Sequence, residues 1–302
     1  MFRKCYVITL AMLAFFCAWP ALSQDSNAGT GKVPVVASFS ILADFAKNVG
    51  GENIDVVSLV GPNGDAHVYQ PSPADAKNLA SAKLVLVNGL GLEGWIDRLI
   101  KASGAKAPVL VATKGIKPLQ MEEGGRRILD PHAWQSVGDA KVYVANIRDG
   151  LAGVDPARAE IYKKNADSYL AKLDALESEV RADIAKIPEK NRAIITTHDA
   201  FGYLGAAYGL RFIAPEGVST ESEPSARDVA KIIRQIKTEK IPAVFLENVT
   251  DPRMSRRIAK ESGAKIGGSL FSDALSAQDG PAGTYIDMMR HNIRELTEAL
   301  KE

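Results

Sequence analysis

The chain has 302 residues, 46% hydrophobic and 24% charged, with a formal net charge of +1, four histidines and two cysteines. That is enough apolar material for a sizeable core and a length that suits two lobes, while a charge this close to zero excludes the basic footprint of a nucleic-acid-binding protein. Both cysteines, Cys5 and Cys17, precede residue 20, so the body of the chain has no thiol for a disulfide, a nucleophile or a sulfur metal ligand.

Residues 1–23 read as a secretory signal peptide. Arg3 and Lys4 form a short basic segment, Val7 to Ala18 is an apolar run too short to span a bilayer, and Ala21-Leu22-Ser23 offers a small-residue processing site. The segment around Cys17, AFFCAWP, lacks the small residues expected before a lipid-modified cysteine, so the expected product is a soluble periplasmic protein without stable membrane insertion. Losing Arg3 and Lys4 with the leader takes the net charge to −1. Residues 24–32 form a polar tether.

After the tether, short apolar runs alternate with helical periodicity. Val35 to Phe39, Val56 to Val60, Leu84 to Val87 and Val109 to Ala112 are apolar on both faces, the pattern of parallel strands covered by helices. SILADFAKNVG, SPADAKNLASA and LEGWIDRLIKASG supply the intervening helices, the first and third ending in the glycine that often stops a helix. This is an α/β lobe over residues 33–154.

From Asp155 to Ile187 the chain contains no glycine and one proline. Asp155 suits an N-cap and Pro156 a first helical position. Tyr162, Ala166, Tyr169, Leu173, Leu176, Val180, Ile184 and Ile187 recur at the spacing of one helix face. Pro188 stops the run. A helix of about 30 residues spans roughly 45 Å, enough to run along two lobes and to limit them to a small hinge motion.

The second half repeats the scheme over residues 188–302. Ala193 to Thr197, Arg211 to Ile213, Ala243 to Leu246 and Lys265 to Leu270 read as strands, with DAFGYLGAAYG, SARDVAKIIRQIKTEK and DPRMSRRIAKESG as helices and TYIDMMRHNIRELTEALK closing the chain. The predicted fold is α/β, two (β/α)4-type parallel-sheet lobes joined by one long backbone helix.

Against this frame, three of the four histidines occupy equivalent places. His67 follows the strand VVSLV after a Gly-Pro-Asn-Gly turn, His132 lies past VLVA in DPHAW, and His198 ends AIITTH. Asp273 follows the last strand in GGSLFSDALS. Loops beyond the carboxyl ends of parallel strands are where such sheets bind ligands, and two facing lobes bring these loops to one cleft. Three neutral imidazoles and a carboxylate make a complete four-coordinate set for one divalent transition ion. His291, beside Arg290 and Arg294 in the last helix, reads as a solvated surface residue. Outer partners for the imidazoles are expected among Glu247, Asp65, Asp130 and Asp199, with Glu247 favoured because its strand points into the same cleft and capping roles competing for the three aspartates. Trp134 and Phe201 are expected to pack around the site.

Over nearly its whole length after the leader, the chain resembles the metal-binding solute receptors of zinc and manganese ABC importers, the cluster A-I, TroA-like family. The resemblance rests on GDAHVYQPSP around His67, DPHAW around His132, THDAFGYL around His198 and SLFSDAL around Asp273, in that order, with the long helix between the second and third. It implies that these four residues bind one Zn(II) or Mn(II) between the lobes for delivery to a cognate ABC permease in the inner membrane, by a protein expected to be a monomer. Many zinc members carry a His- and acid-rich loop where this chain has LQMEEGGRRIL, and manganese members often have Glu where this chain has His198. Three nitrogens and one carboxylate favour zinc; a bidentate Asp273 would suit manganese.

Two other readings compete. A zinc hydrolase needs an open coordination position and a general base; here a fourth protein ligand fills the position and there is no HExxH pattern. A receptor for an organic ligand such as a siderophore would have no need of the histidine set. Metal binding is expected to fail as pH falls through the ordinary histidine range near about 6.5.

Overall fold

The computed structural model describes residues 1–2, 31–123 and 126–301. Apart from Met1 and Phe2, the leader expected over residues 1–23, with both cysteines, lies outside the described residues, as does the tether up to residue 30. Gly31–Glu302 forms one compact unit. Among the described residues no helix is long and apolar enough to cross a membrane.

The first half builds a parallel sheet from β1 (Val33–Phe39), β2 (Ile54–Val60), β3 (Leu84–Val87) and β4 (Val109–Val111), in the order β2-β1-β3-β4. The central strand β3 is buried throughout and β1 over its last five residues, as expected of a doubly covered sheet. The edge strands depart from that expectation. Val57 on β2 and Val109 and Val111 on β4 are exposed, because an edge strand has a neighbour on one side only. Helices α1 (Ser40–Gly50), α2 (Pro73–Ser81) and α3 (Ile96–Ser103) complete the units. Ser72 and Asp75 form a reciprocal capping box at the start of α2, and Gly104 ends α3 in the left-handed conformation.

Between β4 and the next helix lies a hairpin absent from the sequence reading: β5 (Gln120–Glu123) pairs antiparallel with β6 (Arg126–Leu129). Its signal was the Gly124-Gly125 pair between the two short arms. Helix α4 (Val137–Val154) follows, with Ser136 accepting from the Asp139 backbone N–H as its N-cap.

The long helix α5 runs over Ala159–Ile184, shorter at both ends than the expected Asp155–Ile187. Pro156–Arg158 is a separate 3-10 turn, and the Asp155 carboxylate accepts from Arg158 and the Tyr162 hydroxyl instead of capping backbone amides. At 1.5 Å per residue α5 is about 39 Å long. Its expected apolar face is buried, and Ile187 is buried just beyond its end. It packs against α1, α4 and the C-terminal helix α9 (Tyr285–Leu300).

The second half builds another parallel sheet from β7 (Ala193–Ile195), β8 (Arg211–Ile213), β9 (Ala243–Glu247) and β10 (Lys265–Leu270), ordered β10-β9-β7-β8, with helices α6 (Gly202–Tyr208), α7 (Ala226–Glu239) and α8 (Pro252–Ser262). Alternate residues divide between two apolar layers. Ile194 and Phe245 join the main core, which is continuous with the first half, while Ile195 and Val244 pack under α7 and α8.

Candidate metal centre

His67, His198 and Asp273, beyond the carboxyl ends of sheet strands, meet His132 at one point. One nitrogen or oxygen from each residue lies within 4.8 Å of the others, and all four side chains are buried. The Asp273 carboxylate is the hub. Its Oδ2 lies 3.1 Å from Nε2 of His198 and 3.3 Å from Nε2 of His67, while Oδ1 lies 3.6 Å from Nε2 of His132. His67 and His132 approach each other Nε2 to Nε2 at 3.2 Å. Three Nε2 atoms and one carboxylate thus face a common centre.

Local backbone chemistry aims each ring. His67 follows β2, and its backbone N–H donates to Oδ1 of Asp65 at 2.8 Å, a short-range turn that sets the loop. The Trp95 indole N–H donates to the Ala66 carbonyl at 2.8 Å. His198 lies beyond the end of β7 and Asp273 beyond β10. His132 differs from the other three: the hairpin β5–β6 intervenes, so it does not directly follow a strand of the sheet. Its loop is held instead by Asn88, whose side-chain N–H donates to the Pro131 carbonyl at 2.9 Å. Asn88 is fixed in turn by the Tyr143 hydroxyl and, through its backbone N–H, by the buried Glu93 carboxylate.

The outer carboxylates divide into two classes. Asp130 accepts from His132 twice through Oδ1, from the backbone N–H at 2.9 Å and ring Nδ1 at 2.8 Å. Glu247, at the end of β9, accepts from the backbone N–H groups of Thr197 and His198 through Oε1. Its Oε2 lies 2.5 Å from His198 Nδ1, off the line of a regular hydrogen bond. Both carboxylates therefore leave Nε2 as the inward-facing nitrogen. Asp65 does not reach its neighbour's ring; its Oδ2 accepts from the Thr220 hydroxyl at 2.6 Å across the cleft. At His198 Nδ1 stands Glu247, the favoured candidate, while the Asp199 backbone N–H donates to the Gly217 carbonyl.

Burial and charge act in opposition here. Burial pushes His132 down, but the Asp273 charge and the Asp130 hydrogen bond outweigh it and raise its pKa to about 9. His198 is likewise lifted well above the ordinary histidine value by Glu247 and Asp273 against burial. Burial would raise Asp273, yet His198 and His132 hold it well below the carboxylate range.

The two aromatic residues pack as expected: Trp134 is buried with its ring 5.0 Å from Phe39 and 5.2 Å from His132, and Phe201 stacks on Phe212. The expectation for His291 was wrong. It is half-buried, with Nε2–H donating to the Ser269 carbonyl at 2.9 Å, Nδ1 accepting from Arg294 at 3.0 Å and the ring edge-on to Phe271. It ties α9 to β10. Sequence reasoning also missed Glu216, half-buried beside the site and pushed up to about 7 chiefly by burial, and Thr220; with Asp65 they line a groove of about 640 Å³.

A family model described as the periplasmic zinc-uptake complex component A matches residues 35–299. The chain is 35% identical over 298 residues to the iron-binding protein YfeA of Yersinia pestis, covering 98% of this chain and 96% of that protein. It is 36% identical over 301 residues to the manganese-binding lipoprotein MntA of Bacillus subtilis, covering 96% and 98% respectively. Among solved structures, the periplasmic zinc-binding protein TroA from Treponema pallidum matches with a TM-score of 0.86 at 31% identity, over 90% of this chain and 100% of that one. A manganese-bound periplasmic metal-binding protein from Candidatus Liberibacter asiaticus matches with a TM-score of 0.81 at 31% identity, over 89% and 99%.

Proposed function

The chain belongs to the family of periplasmic zinc-uptake component A proteins, and from that premise we propose that it captures one divalent transition-metal ion through His67, His132, His198 and Asp273 and delivers it to an ABC importer. The observation that carries this reading is the convergence of those four buried donors within 4.8 Å. Three nitrogens and a carboxylate suit a tetrahedral ion, and a fourth protein donor leaves no open position for activating water. That supports a receptor over a hydrolase.

The names of the relatives carry iron, manganese and zinc. For this chain we assign zinc ahead of manganese, because three imidazoles form a set softer than a manganese ion prefers. Asp130 and Glu247 orient His132 and His198 from outside. The lobes 33–154 and 188–302 meet at the ion, with the helix between them as a stiff strut. The partner is the inner-membrane permease of the importer, and the receptor works as a soluble periplasmic monomer after removal of residues 1–23.

The test is metal analysis on the chain purified without its leader and on His198→Ala, followed by competition between zinc and manganese at defined free-ion concentrations. We expect close to one ion per wild-type chain, none retained by His198→Ala, and zinc displacing manganese. A wild-type chain that takes up no transition metal would overturn the receptor reading. Manganese displacing zinc at equal free concentration would overturn the choice of metal.

A further inference from the structure

We infer that Trp134 and Gln135 are positioning residues for Asp273, gripping it from the segment that carries His132; the inference rests on the metal-receptor reading above. A 3-10 turn over Ala133–Gln135 follows His132 directly and turns both side chains toward the other half of the molecule. The indole N–H of Trp134 donates to the Ser272 carbonyl at 2.9 Å, and Nε2 of Gln135 donates to the same oxygen at 2.7 Å. The Trp134 contact spans 138 residues of chain. Both donors are fully buried.

A carbonyl oxygen has two lone pairs, and both are engaged. The next residue is Asp273, so the doubly held peptide sets the direction in which the carboxylate leaves the backbone. The grip is anchored at its own end as well, because the Tyr285 hydroxyl donates to the Trp134 carbonyl at 2.7 Å. Ser272 and Phe271 are held by Asn248 and Asn292 through their backbone N–H groups. Among the described residues Gln135 Oε1 has no hydrogen-bond partner, so Nε2 is the end of this amide that the fold uses. His132 and Asp273 thereby form one pre-assembled half of the site, and the ion need not hold them together against chain entropy.

The experiment measures zinc affinity by chelator competition for Gln135→Met, Trp134→Phe and the double variant, each in the wild-type and the Asp273→Asn background, with metal-free melting as a fold control. Each single variant is expected to weaken zinc binding about tenfold, the scale of losing an outer hydrogen bond to a metal ligand. In the Asp273→Asn background the same changes should alter affinity by less than about twofold, since groups acting through one residue are not additive. Visible bands of the cobalt-loaded double variant should move toward those of Asp273→Asn. Equal losses in both backgrounds, or a lower melting temperature with wild-type affinity and bands, would overturn the proposal and leave a packing role. Trp134→Phe, which keeps one aromatic six-membered ring and loses the pyrrole ring with its N–H, carries the test if Gln135→Met does not fold. Wild-type protein that takes up neither zinc nor cobalt overturns the receptor reading and the clamp together; normal uptake with unaffected clamp variants overturns the clamp alone.

Discussion

His132 and His198 lie between carboxylates on two sides: Asp130 and Glu247 at Nδ1, Asp273 at Nε2. In the metal-free site both rings hold a proton above the ordinary histidine range, and a divalent ion brings the same charge as the two protons it displaces. Metal affinity must then fall as pH falls, over a window higher than the one near 6.5 expected from sequence, because the Asp273 charge and the Asp130 hydrogen bond push His132 up to about 9 against burial. We predict that zinc affinity drops by about tenfold per pH unit below roughly pH 9 for the proton released by His132, and more steeply where His198 also releases one. Chelator competition across that range checks it; a flat profile from pH 8 to 6 would rule out proton displacement. The sign for the metal-free fold is opposite. A folded pKa above the unfolded value of about 6.5 stabilises fully below that pH and is lost as pH rises through about 9. The thermal shift produced by zinc should therefore grow with pH.

Elements impose constraints that no single side chain carries. Helix α6 begins at Gly202, where a Cβ would lie 2.5 Å from Oδ2 of Asp130. Gly202→Ala should push Asp130 off His132 and weaken zinc binding about 10- to 100-fold, the range for losing such a partner, with the fold retained. Isothermal titration checks this, and unchanged affinity would show that the carboxylate can retreat. Helices α1 and α9 meet at Asp44, which accepts from the Tyr285 backbone N–H at 3.0 Å. Burial raises Asp44 to about 6 despite that bond and nearby Lys47, with Asp287 adding to the rise. A folded pKa above the unfolded value means its charged form disfavours the fold above pH 6, by about 3 kcal/mol for a shift of two units, and the penalty fades as pH falls below 6. Asp44→Asn, which keeps an acceptor for Tyr285, should raise the metal-free melting temperature at pH 7.5 and lose most of that gain by pH 4. Equal melting temperatures at pH 7.5 would contradict it.

At the scale of the whole molecule, the main core runs without a break from the first sheet through α5 into the second. Opening the cleft widely would expose part of that core at roughly 25 cal/mol per Å². The Asp65–Thr220 bond and the clamp on the Ser272 carbonyl cross the same cleft. For the proposed receptor we therefore predict release by small displacements near the loops. Solution scattering should give a radius of gyration of about 19 Å for a compact chain of this length, changing by less than about 1 Å when zinc is removed. A change of several ångströms would point to large lobe rotation.

The sequence by itself determined the order along the chain of the strands in the two parallel sheets, though not the hairpin β5–β6, together with the buried face of α5 and the candidate set His67, His132, His198 and Asp273. Those features follow from local periodicity and from the rule that loops at the carboxyl ends of parallel strands share one edge. Only the tertiary structure decided which imidazole Glu247 meets, that Asp65 reaches Thr220, that His291 is a tie between α9 and β10, and that Gln135 grips Ser272. These pairings join residues far apart in the chain. Spacing along a sequence constrains geometry over a few residues, whereas which buried polar group satisfies which partner is settled by how the two sheets and α5 pack together.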